Sequence, residues 1–450
     1  MKLWPAFSYP ADPFSGQPRV LAEGSGCWLT DTEGRRYLDG VGALEAMVVG
    51  HGRERLARAA SEQMKQLAFL DVFRYASQPA MELADKLAEI APLRSAKVHF
   101  TPGGSEAVET AMKIALQYHY LHGEPGRRTF ISRNGSYHGV TLGAMSLGTS
   151  YYAMRNDIYL PEGLGACADP GAVNEDEFGT GARYSSDAGR IEAKILEIGP
   201  ERVAGVVVDP MSTAGGVACP PPEDLARIRA VCDKYGVLLI VDEVITAWGH
   251  TGKLFASDHS GVMPDIVTVS KGLSSGYMPI GATLVEGSLL DEFTGPDGFF
   301  AHGQTYGGHP PACAVALENI RILEEEQLPE RAAALGPRLI DGLRRLSQAH
   351  PMMGPVRGKG LLAGVEFVKD SASGEDFVDK RAAGTILRLA LRDAGLIGIC
   401  VHPGNMLLLA PPLIITEHEI DQMLDMFDTT FTALGRLGAE RIDSAPHASV

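Results

Sequence analysis

Short, unbroken runs of apolar residues alternate with helical patterns through the middle of the chain. Residues 203–209 read VAGVVVD and residues 237–243 read VLLIVDE, runs that are typical of strands covered on both faces. Between them, Pro222 is a favoured first residue for a helix and Gly236 a favoured end. A third run, DIVTVS, occupies residues 265–270. Strand, helix and strand at this spacing predict a parallel sheet with right-handed crossovers, and hence an α/β fold.

The two ends of the chain show other patterns. Thr416 and Glu419 form the signature of a capping box, and apolar residues recur at helical spacing over 420–434. Near the other end, the segment TDTEGRRYLDG at 30–40 predicts a hairpin that turns around Gly34. These patterns indicate that the ends form a part of the molecule separate from the parallel sheet.

The length of the chain points to more than one folded unit. It has 450 residues, whereas a single hydrophobic core seldom grows beyond about 250–300 residues. We predict a large α/β domain over 58–318. A smaller α+β domain is predicted to form from 1–57 and 319–450 together.

Composition narrows the classes of partner. Hydrophobic residues make up 45% of the chain and charged residues 21%, which is ordinary for a soluble globular protein. A net charge of -16 disfavours nucleic acid and anionic membranes, since either would require a basic face. The six cysteines are scattered, without metal-type spacing, and no apolar run approaches the ~20 residues of a membrane span. We expect a cytoplasmic protein without a signal peptide, and we assign no metal.

Polar side chains follow three of the predicted strands. Asp209 ends the first run, Asp242 ends the second, and Lys271 follows the third. Ligands of parallel sheets bind beyond the carboxyl ends of the strands. Each residue taken alone has a simple alternative: a helix cap, an ion-pair partner or a solvent-exposed amine. An acid and an amine on neighbouring strand ends are more specific evidence of a ligand site, because together they can hold a cation and form a Schiff base.

A glycine-led helix start lies in TPGGSEAVETAMKIAL at 101–116. The backbone amides of Gly104 and Ser105 would point outward at the positive end of the helix dipole, which suits a phosphate group. The stretch lacks the nucleotide P-loop pattern and the GxGxxG dinucleotide pattern. A tight turn without a ligand is the alternative.

Two further segments suit the same kind of ligand. In NGSYHG at 134–139, Tyr137 can stack on a flat aromatic ligand or simply pack in a turn. In HGQTYGGHP at 302–310, Thr305 can donate its hydroxyl to a phosphate. An aromatic, phosphorylated aldehyde with a ring nitrogen satisfies all four features, and pyridoxal 5'-phosphate (PLP) is such a molecule.

The ordered motifs GGSEAVETAMKIA, SYHG, LLIVDEVITAWGHTGKLFA, DIVTVSKGLSSGYMPIGA and HGQTYGGHP resemble those of class III aminotransferases. These are PLP-dependent transferases of fold type I. More narrowly, the chain resembles amine or ω-amino acid:pyruvate transaminases, from LDGVGALEAMVVGHG to LLLAPPLIIT. The resemblance implies a mostly parallel seven-stranded sheet covered by helices, with a smaller α+β domain beside it.

The resemblance also implies roles for individual residues. Lys271 matches the Schiff-base lysine and Asp242 the partner of the pyridinium nitrogen. The remaining cofactor residues are Gly104 and Ser105 at the phosphate, Tyr137 and Val244 on the two faces of the ring, His138 and Asp209 near the site, and Thr305. Relatives usually have glutamate at position 209.

Thr305 matches a phosphate ligand that comes from the neighbouring subunit. A homodimer, or a tetramer of such dimers, with active sites at the subunit interface is therefore implied. The implied reaction moves an amino group from an amine or ω-amino donor to a keto acid, with pyruvate as the expected acceptor. Lys271 would act as general acid/base, and the kinetics would be ping-pong.

Three residues are candidates for substrate binding. Many relatives have an arginine in the stretch that here reads GICVHPGNMLLLAPPL, where His402 stands instead. Arg357, in VRGKG, can bind a carboxylate, although its usual role is structural. Glu45 occupies a position where relatives often have a bulky aromatic residue. It either caps or pairs locally, or together with His402 favours hydroxylated or cationic amine donors.

Several alternatives stay open at this point. Aminomutases, epimerases and decarboxylases share the cofactor machinery of the family. A Schiff-base aldolase would use Lys271 without a cofactor, and a non-catalytic binding protein would carry the same lysine as a solvated group. His119 and His122 are spaced three residues apart, which predicts that they flank a helix surface rather than bind a metal.

Overall fold

The structure is a computed structural model, and it describes residues 3, 6–7, 19–149, 156–160, 163–168 and 187–443. Parts of the predicted domain ranges, including 444–450, lie outside these residues. The described strands are β1 (Leu21–Ser25), β2 (Trp28–Asp31), β3 (Arg36–Asp39), β4 (Ala96–Thr101), β5 (Thr129–Arg133), β6 (Gly165–Ala168), β7 (Val203–Val208), β8 (Leu238–Asp242), β9 (Ile266–Val269), β10 (Gly281–Glu286), β11 (Met353–Lys359), β12 (Leu362–Phe367), β13 (Leu396–Ile397), β14 (Ile399–Val401) and β15 (Met406–Leu409).

The described α-helical segments alternate with these strands. They are α1 (Gly42–Glu45), α2 (Glu54–Gln66), α3 (Gln78–Ile90), α4 (Gly104–Leu121), α5 (Leu142–Ser146), α6 (Asn156–Tyr159), α7 (Ala188–Ile198), α8 (Pro222–Tyr235), α9 (Pro310–Glu325), α10 (Leu328–Ala349), α11 (Lys380–Asp393), α12 (Glu417–Leu437) and α13 (Ala439–Asp443).

The largest sheet has seven strands in the order β4-β10-β9-β8-β7-β5-β6. Strand β10 pairs antiparallel with both of its neighbours, and the other described pairs are parallel. Every residue of β7 and β8 is buried, because helices cover both faces of the sheet. The predicted mostly parallel, seven-stranded sheet is confirmed.

Helices pack on the two faces of this sheet through separate apolar clusters. On one face, Val108 and Met112 of α4 pack with Ile240 of β8. On the other face, Ile228 of α8 packs with Val241 of β8. Full burial of each such side chain contributes about 1.5–3 kcal/mol, so these contacts hold the strand ends in place.

The helix between β7 and β8 begins and ends as predicted. Pro222 is its first residue, where a missing amide costs nothing. Gly236 follows its last residue with a left-handed backbone (φ 63°), a conformation in which glycine is favoured because it lacks a Cβ.

The two chain ends meet in smaller sheets. β1, β2 and β3 form an antiparallel meander, and β13 adds to it parallel to β3. β11, β12, β15 and β14 form a second, antiparallel sheet. This arrangement confirms a smaller α+β part built from both ends. The predicted boundaries after residues 57 and 318 lie inside α2 and α9, and the division into domains stays a prediction.

The prediction that His119 lies on a helix surface was wrong. His119 of α4 is buried, with Nε2 2.8 Å from the carbonyl oxygen of Ala204, whereas His122 is exposed.

No helix among the described residues is long and apolar enough to cross a membrane.

The capping box of α12 allows a test of what stabilises the smaller α+β part of the molecule. Thr416 Oγ1 accepts a hydrogen bond from the amide of Glu419 (3.2 Å), and the Glu419 carboxylate accepts one from the amide of Thr416 (2.8 Å). We expect Thr416→Ala to lower the free energy of unfolding by about 1 kcal/mol, measured by denaturant titration. Thr429→Ala, at an exposed position inside the same helix, is the control and should be neutral or slightly stabilising. Equal effects of the two changes would contradict a capping role.

Candidate active site

A cavity opens at the carboxyl edge of the large sheet, where β7, β8 and β9 lie side by side. Asp209, Asp242 and Lys271 follow these three neighbouring strands. The cavity encloses about 600 Å³, part of it open to solvent. The structure brings together eight of the nine predicted cofactor residues in its lining: Gly104, Ser105, Tyr137, His138, Asp209, Asp242, Val244 and Lys271.

Lys271 is held by the backbone around it. Its φ is 43°, in the left-handed region that non-glycine residues rarely adopt. Trp248 Nε1 donates to the carbonyl oxygen of Ser270 (3.1 Å), and Asn319 Nδ2 donates to that of Gly272 (2.8 Å). These hydrogen bonds fix the strained turn, and strain of this kind is concentrated at functional sites.

Asp242 is buried at the floor of the cavity, with 6% of its surface exposed. Its Oδ1 accepts hydrogen bonds from Thr268 Oγ1 (3.1 Å) and from the amide of Val244 (3.0 Å). Its Oδ2 lies 2.7 Å from His138 Nδ1. Burial opposes protonation of His138, but the hydrogen bond to Asp242 and the charge of that carboxylate raise the pKa of His138 above its ordinary value. The pair therefore favours an imidazolium beside a carboxylate.

The start of α4 forms one end of the cavity. Gly103 precedes the helix and has no side chain to cap the first amides. A Cβ on Gly104 would lie 2.9 Å from Val244 Cγ1, and a Cβ on Gly139 would lie 2.6 Å from Ser105 Oγ. The two glycines thus allow the backbone to pack closely around a helix N-terminus that lines the cavity, and such an N-terminus is a natural seat for an anion such as phosphate.

Tyr137 and Val244 line the cavity with an aromatic and an aliphatic side chain, and both are half-buried. Burial raises the pKa of Tyr137, and the charges of Asp242 and Glu45 raise it further. A flat, phosphorylated ring would find an apolar lining, an anion seat, a buried carboxylate and an amine in this one cavity. The residues present therefore fit PLP.

Glu45 contacts the catalytic candidate directly. Its Oε2 lies 2.5 Å from Lys271 Nζ, and only 4% of the Glu45 side chain is exposed. The interpretation of Glu45 as a local cap or pair was therefore wrong. Lys271 is the only side-chain partner that the described part of the chain gives to this carboxylate.

An unusual backbone places Glu45 there. All four residues of α1, from Gly42 to Glu45, have positive φ values of 52°, 46°, 67° and 58°. A left-handed turn costs roughly 1–2 kcal/mol for each non-glycine residue. Asp39 Oδ1 offsets part of this cost by accepting a hydrogen bond from the amide of Ala43 (3.2 Å). A Cβ on Gly42 would lie 2.7 Å from the carbonyl oxygen of Ala410, so this position suits only glycine.

Asp209, the residue that departs from the usual glutamate, is engaged within its own chain. Its Oδ1 lies 3.6 Å from Arg133 Nη1 and accepts a hydrogen bond from Ser136 Oγ (3.4 Å). Arg133 also pairs with Asp187 and Asp224. Asp209 thus lines the cavity as one member of a buried charge cluster.

Four predicted residues are not among those that line the cavity of this chain: Glu45, which contacts Lys271, and Thr305, Arg357 and His402. Thr305 is exposed on the loop before α9. Arg357 pairs with Glu366 (2.9 Å) and donates to the carbonyl oxygen of Gly216 (2.9 Å). His402 is half-buried, and burial lowers its pKa. Their assigned roles stay predictions.

Sequence reasoning missed several residues that support the site. Thr268 is the one polar residue within the apolar strand β9, and that break in the pattern is a usable signal. Trp248 lies within a motif that was already recognised, LLIVDEVITAWGHTGKLFA. Asn319 lies far along the chain on α9, and no local pattern marks it.

Comparison with known proteins gives a consistent result. The sequence model of aminotransferase class-III matches residues 12–431. The chain is 38% identical to putrescine–pyruvate aminotransferase of Pseudomonas aeruginosa, with 91% of this chain and 89% of that protein covered.

Solved structures agree with the fold. An amine transaminase from an uncultivated Pseudomonas species, in its PLP-bound form, superimposes with a TM-score of 0.90 at 35% identity, covering 96% of this chain and 99% of that one. An (S)-enantioselective omega-transaminase from Thermomicrobium roseum gives a TM-score of 0.88 at 40% identity, covering 96% of each chain.

These matches span nearly the whole chain and include its fold. They leave the interpretations as a cofactor-free aldolase and as a non-catalytic binding protein without support. The protein belongs to the class III aminotransferases, which are PLP-dependent transferases of fold type I.

Proposed function

We propose that this enzyme transfers an amino group from an amine or ω-amino donor to a keto acid, with pyruvate as the acceptor. One observation carries the proposal: the amine of Lys271 and the carboxylate of Asp242 follow adjacent strands and line the same cavity. The donor would react first and its carbonyl product would leave before the acceptor binds, which gives ping-pong kinetics.

Different residues of the cavity would bind different parts of PLP. Gly104 and Ser105, at the N-terminus of α4, would bind the phosphate. Tyr137 and Val244 would cover the faces of the ring. Asp242 would contact the ring nitrogen, and its carboxyl group is held in position by Thr268 and His138. When bound, PLP supplies an electron sink for the carbon that bears the amine.

Lys271 would have two roles. Its amine would bond the cofactor covalently between turnovers. Once a donor has released it, the same amine would move the proton at the carbon that bears the donor's nitrogen. The fixed turn around Lys271 keeps the amine within the cavity during both stages.

The activities of similar proteins support the choice of substrates. The relative from Pseudomonas aeruginosa is a putrescine–pyruvate aminotransferase, and the similar structures are amine or omega-transaminases. We therefore favour an amine donor and pyruvate over 2-oxoglutarate. An aminomutase, an epimerase or a decarboxylase would need no added keto acid, and dependence on an acceptor separates these alternatives.

We also propose that the working enzyme is a homodimer in which Thr305 enters the site of the partner copy. Thr305 lies beside an aromatic patch that we define as Phe69, Phe73, Tyr75 and Tyr306, all of which are exposed. The rings of Phe69 and Tyr306 are 5.7 Å apart. Contiguous exposed aromatic surface of this kind is typical of a protein interface.

The cytoplasm is the proposed location. The cysteines of the described residues, six in all, are free thiols, and several are buried in the core. Such thiols persist most readily in a reducing compartment.

The central test combines Lys271→Ala with an acceptor panel. Removal of the amine should lower transamination by at least about 10³-fold, since both the covalent attachment and the proton transfer are lost. Lys234→Ala, on the surface of α8, is the matched control and should keep full activity. Amine consumption would be followed with pyruvate, with 2-oxoglutarate and without acceptor. Turnover that needs no acceptor would reject the aminotransferase assignment.

Subunit complementation tests the role of Thr305. A heterodimer of one Lys271→Ala subunit and one Thr305→Asp subunit would be purified through two different tags. If Thr305 acts in the partner's site, one complete site remains and the heterodimer should show about half of the wild-type activity. If Thr305 acts only within its own chain, both sites are damaged and the heterodimer should be as inactive as either homodimer.

The His138–Asp242 pair predicts a dependence of stability on pH. Because the folded pKa of His138 lies above the unfolded value of about 6.5, the contribution of the pair is fully present below that value. It is lost as pH rises through the folded pKa. We expect His138→Gln to lower the melting temperature of the PLP-free protein more at pH 6 than at pH 9. His122→Gln, at an exposed position, is the control, and equal losses for His138→Gln at the two pH values would contradict the argument.

A further inference from the structure

Glu45 is a buried acid whose side-chain partner, Lys271, is not available in every state of the enzyme. Its carboxylate is almost wholly removed from solvent, and Lys271 Nζ at 2.5 Å is its side-chain partner among the described residues. A buried carboxylate without a cation is strongly unfavourable, because desolvation is then uncompensated. In the proposed function, however, the amine of Lys271 is bonded to the cofactor between turnovers. While the resulting Schiff-base nitrogen carries no proton it has no charge, and Glu45 then needs another cation.

The surroundings of Glu45 offer no replacement from the described part of the chain. The two acids that line the cavity have partners of their own, Asp242 in His138 and Asp209 in Arg133. Burial lowers the pKa of His250 to about 4, and the charge of Lys271 lowers it as well, so this neighbouring imidazole is neutral. Glu45 reaches the cavity through its contact with Lys271, which lines it. The incoming substrate is therefore the available source of positive charge.

The backbone prevents Glu45 from turning away to solvent. The turn that carries it is left-handed throughout, and it is closed by hydrogen bonds from the amides of Ala46 and Met47 to the carbonyl oxygen of Gly42 (2.9 and 2.8 Å). Several residues held in a rarely populated conformation indicate a functional constraint at this position.

We propose that Glu45 is the ammonium-binding residue of this active site. It holds the Lys271 ammonium when that amine is free, and it receives the ammonium of the donor when the amine of Lys271 is bonded to the cofactor. This inference rests on the proposed function for the second state only. The charge of Glu45 favours primary amines whose amine-bearing carbon carries no carboxylate over α-amino acids, since the two carboxylates would repel each other. Alanine formed from the proposed acceptor pyruvate would thus be bound more weakly than the donor.

The assignment refines the interpretation drawn from the sequence. Glu45 alone, without His402, is assigned the preference for cationic donors, because Glu45 contacts Lys271 and no contact of His402 with that lysine is found among the described residues. The preference is for the reacting ammonium itself and does not require a hydroxyl or a second amine on the donor.

Binding of a lysine fragment tests the site without PLP and without turnover. In Lys271→Ala, propylammonium replaces the lost atoms from Cγ to Nζ. Calorimetry on the PLP-free protein should show that propylammonium binds at least about tenfold more tightly to Lys271→Ala than to the double variant Lys271→Ala/Glu45→Gln. Propan-1-ol, a neutral molecule of the same shape, should not distinguish the two variants. Equal affinity of propylammonium for both would overturn the proposal.

The holoenzyme of Glu45→Gln provides a second test if the lysine variant fails to fold. Isopropylamine and L-alanine differ only by a methyl group against a carboxylate on the reacting carbon. Glu45→Gln should lower kcat/KM for isopropylamine by about tenfold and leave that for L-alanine unchanged or higher. A merely structural role would lower both by the same factor, and that result would refute the inference.

The two tests also separate this inference from the proposed function. A wild-type enzyme without aminotransferase activity would remove the proposed function, yet the calorimetric comparison would still decide whether Glu45 binds an ammonium group. Conversely, an active enzyme whose donor ratio is unchanged in Glu45→Gln would keep the proposed function and remove the role of Glu45.

Discussion

The parallel pairing of β8 with β9 is the constraint on which the site depends. In this register Asp242 lies opposite Thr268, whose hydroxyl donates to the Asp242 carboxylate at 3.1 Å. Three residues after Thr268 the chain reaches Lys271, so an acid and an amine face the same cavity. Because the strands are buried on both faces, a slip of one residue would move apolar side chains into the cavity and polar ones into the core. The chemistry of the enzyme is thus fixed by the packing of its sheet.

Each buried charge of the site is matched by an opposite charge. Asp242 pairs with His138, and Lys271 pairs with Glu45. Asp209 belongs to a cluster around Arg133, which also includes Asp187 and Asp224. Such pairs are costly to desolvate and do not add much net stability, but they leave the fold sensitive to the loss of one partner. The site is therefore organised for binding and catalysis rather than for maximal stability.

The sequence predicted the parts of this structure that depend on local patterns. Continuous apolar runs marked β7, β8 and β9, and the polar residues at their ends marked the cavity, because strand ends of a parallel sheet share one edge. Pro222 and Gly236 marked the ends of α8 through their own backbone preferences. The resemblance to aminotransferase motifs supported PLP as the ligand. The residue patterns alone had indicated only the chemical features of the ligand, an aromatic ring with a nitrogen, a phosphate and an aldehyde.

Long-range contacts explain what the sequence did not predict. Glu45 reaches Lys271 across more than two hundred residues, through a left-handed turn that propensities disfavour. Asn319, on another helix, donates a hydrogen bond to the turn that contains Lys271. The sequence around Asn319 shows no pattern that predicts this contact. His119 was assigned to a helix surface although it is buried, because its spacing from His122 carries no information about the neighbouring strand β7. These features arise from tertiary packing and are not encoded by any short stretch.

The pairing of β13 with β3 has a consequence for biosynthesis. Leu396 and Ile397 add to the edge of a strand that ends at Asp39, so this sheet cannot be completed before residue 397 has left the ribosome. Until then its edge carries unpaired backbone groups that can capture another nascent chain. The central sheet, whose strands lie between residues 96 and 286, leaves the ribosome earlier and can assemble first. Completion of the sheet that contains β3 and β13 thus follows the synthesis of the whole central sheet.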